Sequence, residues 1–171
     1  MSTTIVLMGV AGAGKSSVAA ALHRSLGWPF AEGDDFHPES NVAKMRSGVA
    51  LDDDDRWPWL AAIATWIGAQ ESVARDSIVT CSALKAAYRD ALREGHPSIW
   101  FVHLTAPRAV IASRLAERAG HFMPPSLLAS QLEQLEPLRA GESGANVTAT
   151  DSADATALAI EALLRSGGRL R

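Results

Sequence analysis

Cysteine is scarce in this chain of 171 residues, and Cys81 is its one example. A single cysteine excludes an internal disulfide and is typical of proteins in a reducing compartment. The chain also lacks an apolar run long enough to span a bilayer. Its net charge of −3 provides no positive excess for a large nucleic-acid surface. We therefore expect a cytoplasmic protein that binds neither membranes nor nucleic acids.

The start of the chain has no basic stretch before its first apolar segment, residues 4–8, which leads directly into glycine-rich sequence. That arrangement favours a core strand over a signal peptide. A hydrophobic content of 47% and a charged content of 20% are ordinary for a globular protein. With no internal repeat and no long linker, the length suits a single domain over residues 1–171.

The most informative segment is IVLMGVAGAGKSS, residues 5–17. A short apolar run meets Gly9, and Gly14 five positions later begins Gly-Lys-Ser, which is the P-loop pattern. Its glycines allow consecutive backbone N–H groups to point inward around a phosphate, and the next helix adds its positive N-terminal end. Lys15 is expected at the β- and γ-phosphates of a nucleotide, and the Ser16 hydroxyl at Mg²⁺. The predicted nucleotide-binding residues of this loop are Gly9, Val10, Ala11, Gly12, Ala13, Gly14, Lys15, Ser16 and Ser17.

Strand-like and helix-like segments alternate along the chain, which indicates an α/β fold around a parallel sheet. The predicted strands are 4–8, 29–32, 77–81, 99–104 and, more weakly, 145–149. The predicted helices are 15–26, 39–46, 57–73, 84–94, 107–118, 125–136 and 153–166. For the helix at 57–73, we expect Asp55 as the N-cap and Pro58 in the first turn.

Polar segments follow the first three predicted strands, at residues 9–16, 33–38 and 82–85. Ligands of open α/β sheets bind beyond the C-terminal ends of the strands, so these segments should converge on one cleft. Asp34 is the candidate carboxylate that orients an attacking hydroxyl and accepts its proton. Its alternatives are to hold a water on Mg²⁺ or simply to form a turn. His37 either binds a polar substrate or caps the following turn.

Three cations are candidates for binding a carboxylate on the substrate: Arg56, Lys85 and Arg89. A guanidinium holds a carboxylate through two parallel hydrogen bonds. Lys85 and Arg89 are four residues apart, which would place both on one helix face towards the cleft. The alternative is that these cations form surface salt bridges.

A second pair of arginines, Arg114 and Arg118, precedes a segment that contains glycine and two prolines. This pattern predicts a mobile lid over about residues 114–136 that closes on the phosphates and excludes water. For one of the two arginines, the alternative is an interaction with the dipole of its own helix.

Several segments together resemble the gluconokinases of the small P-loop type. They are LMGVAGAGKSSVA (7–19), EGDDFHP (32–38), N-x-x-KM-x-SG (41–48), L-DDDDR-x-PWL (51–60), CSALK-x-x-YRD-x-LR (81–93) and SRLAERAGHFMP (113–124). Many nucleotide-binding proteins share the P-loop, whereas the segments after the second and third strands are more specific. The resemblance covers roughly residues 4–136.

The resemblance implies a three-layer P-loop NTPase fold with a five-stranded parallel sheet, flanking helices and a lid. It implies transfer of the γ-phosphate of ATP to the 6-hydroxyl of D-gluconate with Mg²⁺, in gluconate catabolism and by a homodimer. Lys15, Asp34 and Arg118 would be catalytic, and Arg114 would bind the nucleotide. Asp34, His37, Arg56, Lys85 and Arg89 would bind gluconate.

Two departures from the family pattern leave points open. The second acidic residue of GDDFHP means that either Asp34 or Asp35 could act on the hydroxyl. The match fades after Glu136, where residues 138–149 are rich in Gly and Ala and should lie near the adenine. The alternatives are a related small-molecule kinase of the shikimate kinase type and a nucleotide-binding switch without a small acceptor.

Overall fold

The computed structural model describes residues 2–117 and 126–170. Within these ranges five parallel strands form one sheet in the order β2-β3-β1-β4-β5. The strands are β1 (Thr4–Met8), β2 (Phe30–Ala31), β3 (Ser77–Thr80), β4 (Ile99–Thr105) and β5 (Gly144–Thr148). The predicted α/β fold with a five-stranded parallel sheet is confirmed.

The helices that flank the sheet agree closely with the sequence prediction. They are α1 (Lys15–Leu26), α2 (Glu39–Arg46), α3 (Asp53–Ser72), α4 (Ala86–Arg93), α5 (Arg108–Glu117), α6 (Ser126–Gln134) and α7 (Ala153–Ser166). A short 3-10 turn, Gly33–Phe36, follows β2. No helix in the described ranges is both long enough and apolar enough to cross a membrane.

The central strand β1 packs against helices on both faces of the sheet, which gives the domain three layers. Its residues are all buried, and alternate side chains point to opposite faces of the sheet. Ile5 and Leu7 pack in the core beneath α1 and α7, whereas Val6 and Met8 pack with apolar residues of α3 and α4. Strands that are covered on both faces read as continuous apolar runs, which is why this segment is so hydrophobic.

The start of α3 differs from the prediction. The helix begins at Asp53, its N-cap is Asp52, and Pro58 lies inside it. Asp55 is the third helical residue, and it forms a capping box in which each of Asp52 and Asp55 accepts a hydrogen bond from the other's backbone N–H. Aspartate at either position can cap a helix, so from the sequence alone Asp55 was as reasonable an N-cap as Asp52.

The end of β2 is fixed to the end of β3 by hydrogen bonds. The hydroxyl of Thr80 accepts a bond from the Gly33 N–H at 2.9 Å and donates one to the Glu32 carboxylate. A Cβ on Gly33 would collide with the Thr80 carbonyl oxygen, so only glycine allows this approach. Trp59 donates from its ring N–H to the Gly33 carbonyl at 2.7 Å, which attaches α3 to the same point.

Candidate active site

The loop between β1 and α1 has the backbone of a phosphate-binding loop. Gly9 and Gly14 have φ angles of 136° and 100°, which are unfavourable for residues with a Cβ. A Cβ on Gly9 would also lie 2.7 Å from the Leu104 carbonyl oxygen. Lys15 folds back across the loop, and its Nζ donates to the carbonyls of Gly9 and Val10 at 3.0 Å each. The ammonium group is thereby held next to the loop whose N–H groups would surround a phosphate.

One cleft collects residues from the phosphate loop, the ends of β2 and β3, and helices α2, α3 and α6. Its lining comprises Ala11, Gly12, Gly14, Lys15, Ser16, Glu32, Asp34, His37, Met45, Ala50, Leu51, Arg56, Thr80, Cys81, Ser82, Ser130 and Gln131. The three polar segments that follow the first three strands are therefore brought together as expected. Asp34 lines the cleft, whereas Asp35 is exposed and does not.

The remaining loop residues lie outside this cleft. Val10 and Ala13 are buried in the core beneath the loop. Ser17 and Arg114 line a neighbouring pocket, together with the start of α1 and residues 149–151 between β5 and α7. Arg114 spans this pocket, because its guanidinium donates to the carbonyls of Ala13 and Thr150 at 3.4 Å each. Arg118 and the centre of the predicted lid lie outside the described residues.

His37 is held in a defined orientation at the wall of the cleft. Its ring stacks on Trp59, with centroids 4.3 Å apart and an angle of 13° between the planes. Its Nε2 is 3.9 Å from the Asp34 carboxylate. Burial, with a smaller contribution from the positive charge of Arg56, lowers the pKa of His37 to about 4. The imidazole is therefore neutral at physiological pH.

Arg56 is a buried cation whose hydrogen-bonding capacity is only partly used. It is 6% exposed, and its Nε makes no hydrogen bond to any described residue. One terminal nitrogen is 3.5 Å from the Gln134 side-chain oxygen, and the guanidinium carbon lies 5.4 Å from the centre of the Tyr88 ring. Because a buried charge without full pairing is costly, this arrangement is expected where an anion binds.

Two other predicted cations do not line the cleft, which corrects the expected shared face. Lys85 precedes α4 in extended conformation and pairs with Asp53 at 2.8 Å, beside a shallow surface pocket. Arg89 is fully buried and binds both oxygens of Glu142 at 2.8 and 2.9 Å. Its remaining donors reach the carbonyls of Ala83, Leu84, Glu136 and Pro137. Every guanidinium nitrogen is used within the protein, so Arg89 has the surroundings of a structural residue.

Sequence reasoning missed several residues of the cleft. Glu32 and Thr80 line it, and the bond between them was not apparent from separate segments of the chain. Gln131 of α6 was missed as well, although its side-chain oxygen accepts a 2.7 Å hydrogen bond from the Ala11 N–H of the phosphate loop. An isolated glutamine on an amphipathic helix carries no signal for such a contact, because only the tertiary structure brings α6 to the loop.

Comparison with known proteins places this geometry in context. A family model described as an AAA domain matches residues 5–138. A gluconokinase of Gluconobacter oxydans is 49% identical over 132 residues, covering 77% of this chain and 74% of the relative. The thermoresistant gluconokinase of Escherichia coli is 44% identical over 157 residues, covering 88% and 90% respectively.

A solved structure gives the same result in three dimensions. The crystal structure of a gluconokinase from Sinorhizobium meliloti superposes with a TM-score of 0.83 at 45% sequence identity. The match covers 96% of this chain and 94% of that one. The likeness therefore extends beyond residue 136, where the sequence resemblance fades.

Proposed function

The chain belongs to the gluconokinase family of ATP-dependent P-loop kinases, and from this premise we propose that it transfers the γ-phosphate of ATP to the 6-hydroxyl of D-gluconate. The observation that carries the proposal is the shared cleft, in which Lys15 of the phosphate loop and the polar residues Asp34, His37 and Arg56 line one space. A kinase needs this proximity, because donor and acceptor must meet in line.

The phosphate loop would bind the donor. Its glycine-rich backbone and the N-terminal end of α1 favour negative charge, and Lys15 adds a positive charge beside them. The nearby oxygen donors Ser16, Glu32 and Asp34 are hard ligands that fit Mg²⁺, directly or through water. When bound, Mg²⁺ neutralises charge on the phosphates during transfer.

Asp34 would act on the acceptor. Its carboxylate lies in the cleft and can accept a hydrogen bond from the attacking hydroxyl, which orients the oxygen and receives its proton. The exposure of Asp35 supports Asp34 for this role. Because phosphoryl transfer proceeds through a loose transition state, orientation is the larger contribution.

Arg56 would bind the carboxylate of gluconate. It offers an unused buried donor at the cleft, and a carboxylate there would complete its hydrogen bonding and neutralise its charge. The remainder of gluconate is a polyol, which suits the hydroxyl, carboxylate and imidazole groups of the lining.

The pocket beside Arg114 would hold the nucleoside part of ATP. It adjoins the phosphate loop through Gly14 and Ser17, and Arg114 lies between the loop and residues 149–151. Arg118 would follow on the lid and bring positive charge to the transferring group while water is excluded.

Two further features belong to the proposal on the strength of the family resemblance and the chemistry. We expect a homodimer, which light scattering coupled to size-exclusion chromatography would detect. We also expect a cytoplasmic location, because the reaction consumes ATP and the one cysteine of the chain cannot form an internal disulfide.

The test is a coupled assay of ADP release with Mg-ATP and D-gluconate, shikimate, other aldonates or no acceptor. We expect turnover with D-gluconate, and loss of at least about a hundredfold in kcat for Asp34→Asn. Asp35→Asn makes the same chemical change at the exposed neighbour and should retain activity. Turnover with a different acid would reassign the acceptor, whereas hydrolysis that ignores every acceptor would contradict the kinase proposal.

A further inference from the structure

Asn41 of α2 is a buried residue beside the candidate acceptor site. It is 2% exposed, and its side-chain nitrogen donates to the Asp55 carbonyl of α3 at 2.8 Å. The opposite amide orientation would put two oxygen acceptors at that distance, so the carbonyl determines which end of the amide faces it. The NH₂ group of Asn41 therefore has a fixed position.

The same NH₂ group faces His37. Its nitrogen lies 3.3 Å from the Nδ1 of the imidazole. One hydrogen of the NH₂ group serves the Asp55 carbonyl and the other points to Nδ1, so Nδ1 must accept. A neutral imidazole that accepts at Nδ1 carries its proton on Nε2.

Other contacts of His37 favour the same neutral, Nε2-protonated form. Stacking on Trp59 fixes the plane of the ring, and Nε2 makes no hydrogen bond to a described residue. The charged groups around the ring are Asp34, with its carboxylate 3.9 Å from Nε2, and Arg56, whose charge opposes protonation. A second proton on Nδ1 would also meet the N–H of Asn41, which disfavours the imidazolium.

We propose that Asn41 is a positioning residue that holds His37 as the neutral Nε2–H tautomer, so that His37 donates a hydrogen bond to a hydroxyl oxygen of the acceptor. The inference rests on the proposed function for the identity of that acceptor. His37 is then not the base of the reaction. Asp34 offers only acceptor atoms and His37 offers only a donor, so one hydroxyl can donate to the first and accept from the second.

This division gives the site a way to orient a polyol. A gap of 3.9 Å between Nε2 and the carboxylate is too long for a direct hydrogen bond between them. A hydroxyl oxygen placed beside both atoms could bond to each at about 2.8 Å. A substrate hydroxyl bound in this way has its lone pairs and its proton in defined directions before the phosphoryl group arrives.

The direct test is long-range ¹H–¹⁵N NMR of the imidazole nitrogens in the uniformly labelled protein at neutral pH. The chain has five histidines, and the His37→Gln variant identifies the signal of His37. We expect a protonated Nε2 and a bare Nδ1, with D-gluconate shifting the Nε2 signal. A proton on Nδ1, or an imidazolium, would overturn the proposal without reference to any enzyme assay.

Two substitutions test the role of Asn41 and the donor. Asn41→Asp places a negatively charged acceptor at Nδ1, so Nδ1 should become protonated in the NMR spectrum. If the proton comes from Nε2, the KM for D-gluconate should rise by roughly tenfold, whereas an imidazolium keeps the Nε2–H donor and should leave KM nearly unchanged. Asn146→Asp is the control for the same substitution away from the site, because the Asn146 oxygen already accepts from Nδ1 of His103 at 3.0 Å and neither residue lines the cleft. His37→Phe keeps the stacking but removes the donor, and it should raise KM more than it lowers kcat.

The outcomes separate the two proposals. An Nε2–H signal in a protein that phosphorylates no acceptor would contradict the proposed function while supporting the tautomer. Turnover of D-gluconate with a KM that His37→Phe leaves unchanged would support the function and overturn the donor role. Rescue of KM by His37→Gln, whose amide NH₂ can replace the Nε2–H, would support donation.

Discussion

Two buried arginines, Arg56 and Arg89, differ in what surrounds their guanidinium groups. Arg89 is bonded at every nitrogen to Glu142 and to backbone carbonyls. The Nε of Arg56 has no partner in the described part of the chain. Because burial of an unpaired charge is costly, the first group is expected to stabilise the fold and the second to bind a ligand.

The Arg56→Met substitution should weaken acceptor binding. Loss of a charge-assisted hydrogen bond worth about 1.5–3 kcal/mol predicts a rise in the KM for D-gluconate of about 10- to 150-fold. The melting temperature should stay the same or rise, because a buried charge is removed. The control is Arg46→Met, which changes an exposed arginine of α2. An unchanged KM would remove Arg56 from the acceptor site.

The Arg89→Met substitution should act on stability instead. It leaves the Glu142 carboxylate buried without its partner, and we expect a loss of about 3–5 kcal/mol in the free energy of unfolding. Urea denaturation measures this loss, and the folded fraction should keep its KM for D-gluconate. A raised KM at unchanged stability would restore the substrate role that the sequence suggested.

The position of Arg89 shows where residue spacing ceases to be informative. A spacing of four places two side chains on one face only if both belong to the helix, but Lys85 is the N-cap residue of α4. The direction of the Arg89 side chain depends on residues 136–142, which are distant in sequence. Asp34 could be assigned to the cleft because it directly follows the second strand. Arg56 could be assigned to it because it ends the acidic run at residues 52–55.

At the scale of single elements, the start of α3 is a point where sequence and structure differ by a few residues. Asp52 caps the helix through the Asp55 N–H, and Lys44 of α2 bonds to both carboxylates. Local propensity identified the helix and its acidic start. The choice among consecutive aspartates depended on the contact with α2, which no local pattern contains.

The capping box predicts a measurable effect of Asp52→Ala. Loss of an N-cap side chain costs about 1 kcal/mol, and the ion pair with Lys44 is exposed enough to add little. Thermal or urea unfolding should show this loss, whereas Asp54→Ala, at an exposed position of the same first turn that takes no part in the capping box, should change stability by less. Equal effects of the two variants would argue against the cap.

Helix α6 contacts both the phosphate loop and the proposed acceptor site through two glutamines. Gln131 contacts the Ala11 N–H of the phosphate loop, and Gln134 lies near Arg56. Gln131→Glu keeps the shape and the acceptor but adds negative charge beside the phosphates, so the KM for ATP should rise. Gln134→Glu should instead pair with Arg56 and raise the KM for D-gluconate. The two isosteric variants control for each other, and the same response in both would contradict this assignment.

At the scale of the whole molecule, the sheet and its flanking helices could be predicted because their signals are local. The apolar run of β1 and the glycines after it determine a buried parallel strand and the loop that follows. β2 is short, Phe30–Ala31, because the bonds of Glu32 and Gly33 to Thr80 turn the chain away from the ladder. Such contacts between distant segments are what sequence patterns omit.

Acid stability is a property of the folded chain to which two buried groups, Glu142 and His37, should contribute most visibly. Burial alone would raise the pKa of Glu142, but the hydrogen bonds from Arg89 and from the Arg139 N–H lower it to about 2. A carboxylate with a lowered pKa stabilises the fold above its unfolded value of 4.5 and loses that contribution as the pH falls towards 2. His37 acts in the same direction at higher pH. Its pKa falls from 6.5 to about 4 on folding, so the fold also loses stability as the pH falls through this range.

We therefore expect the free energy of unfolding to fall in two stages as the solution is acidified, each by up to about 1.4 kcal/mol per pH unit. The first stage, between pH 6.5 and about 4, should become shallower in His37→Phe, because that side chain takes up no proton, while His103, whose pKa burial also lowers, still contributes. The second, between 4.5 and about 2, should become shallower in Glu142→Gln, which is less stable overall. It should not vanish, because the pKa values of Asp52, Asp53 and Glu71 are lowered too. Glu94→Gln, at an exposed position, is the control for the loss of one carboxylate. Urea unfolding at a series of pH values measures these slopes. If the slope of Glu142→Gln equals that of the unsubstituted protein, the pairing of Glu142 with Arg89 is not what links acid to unfolding.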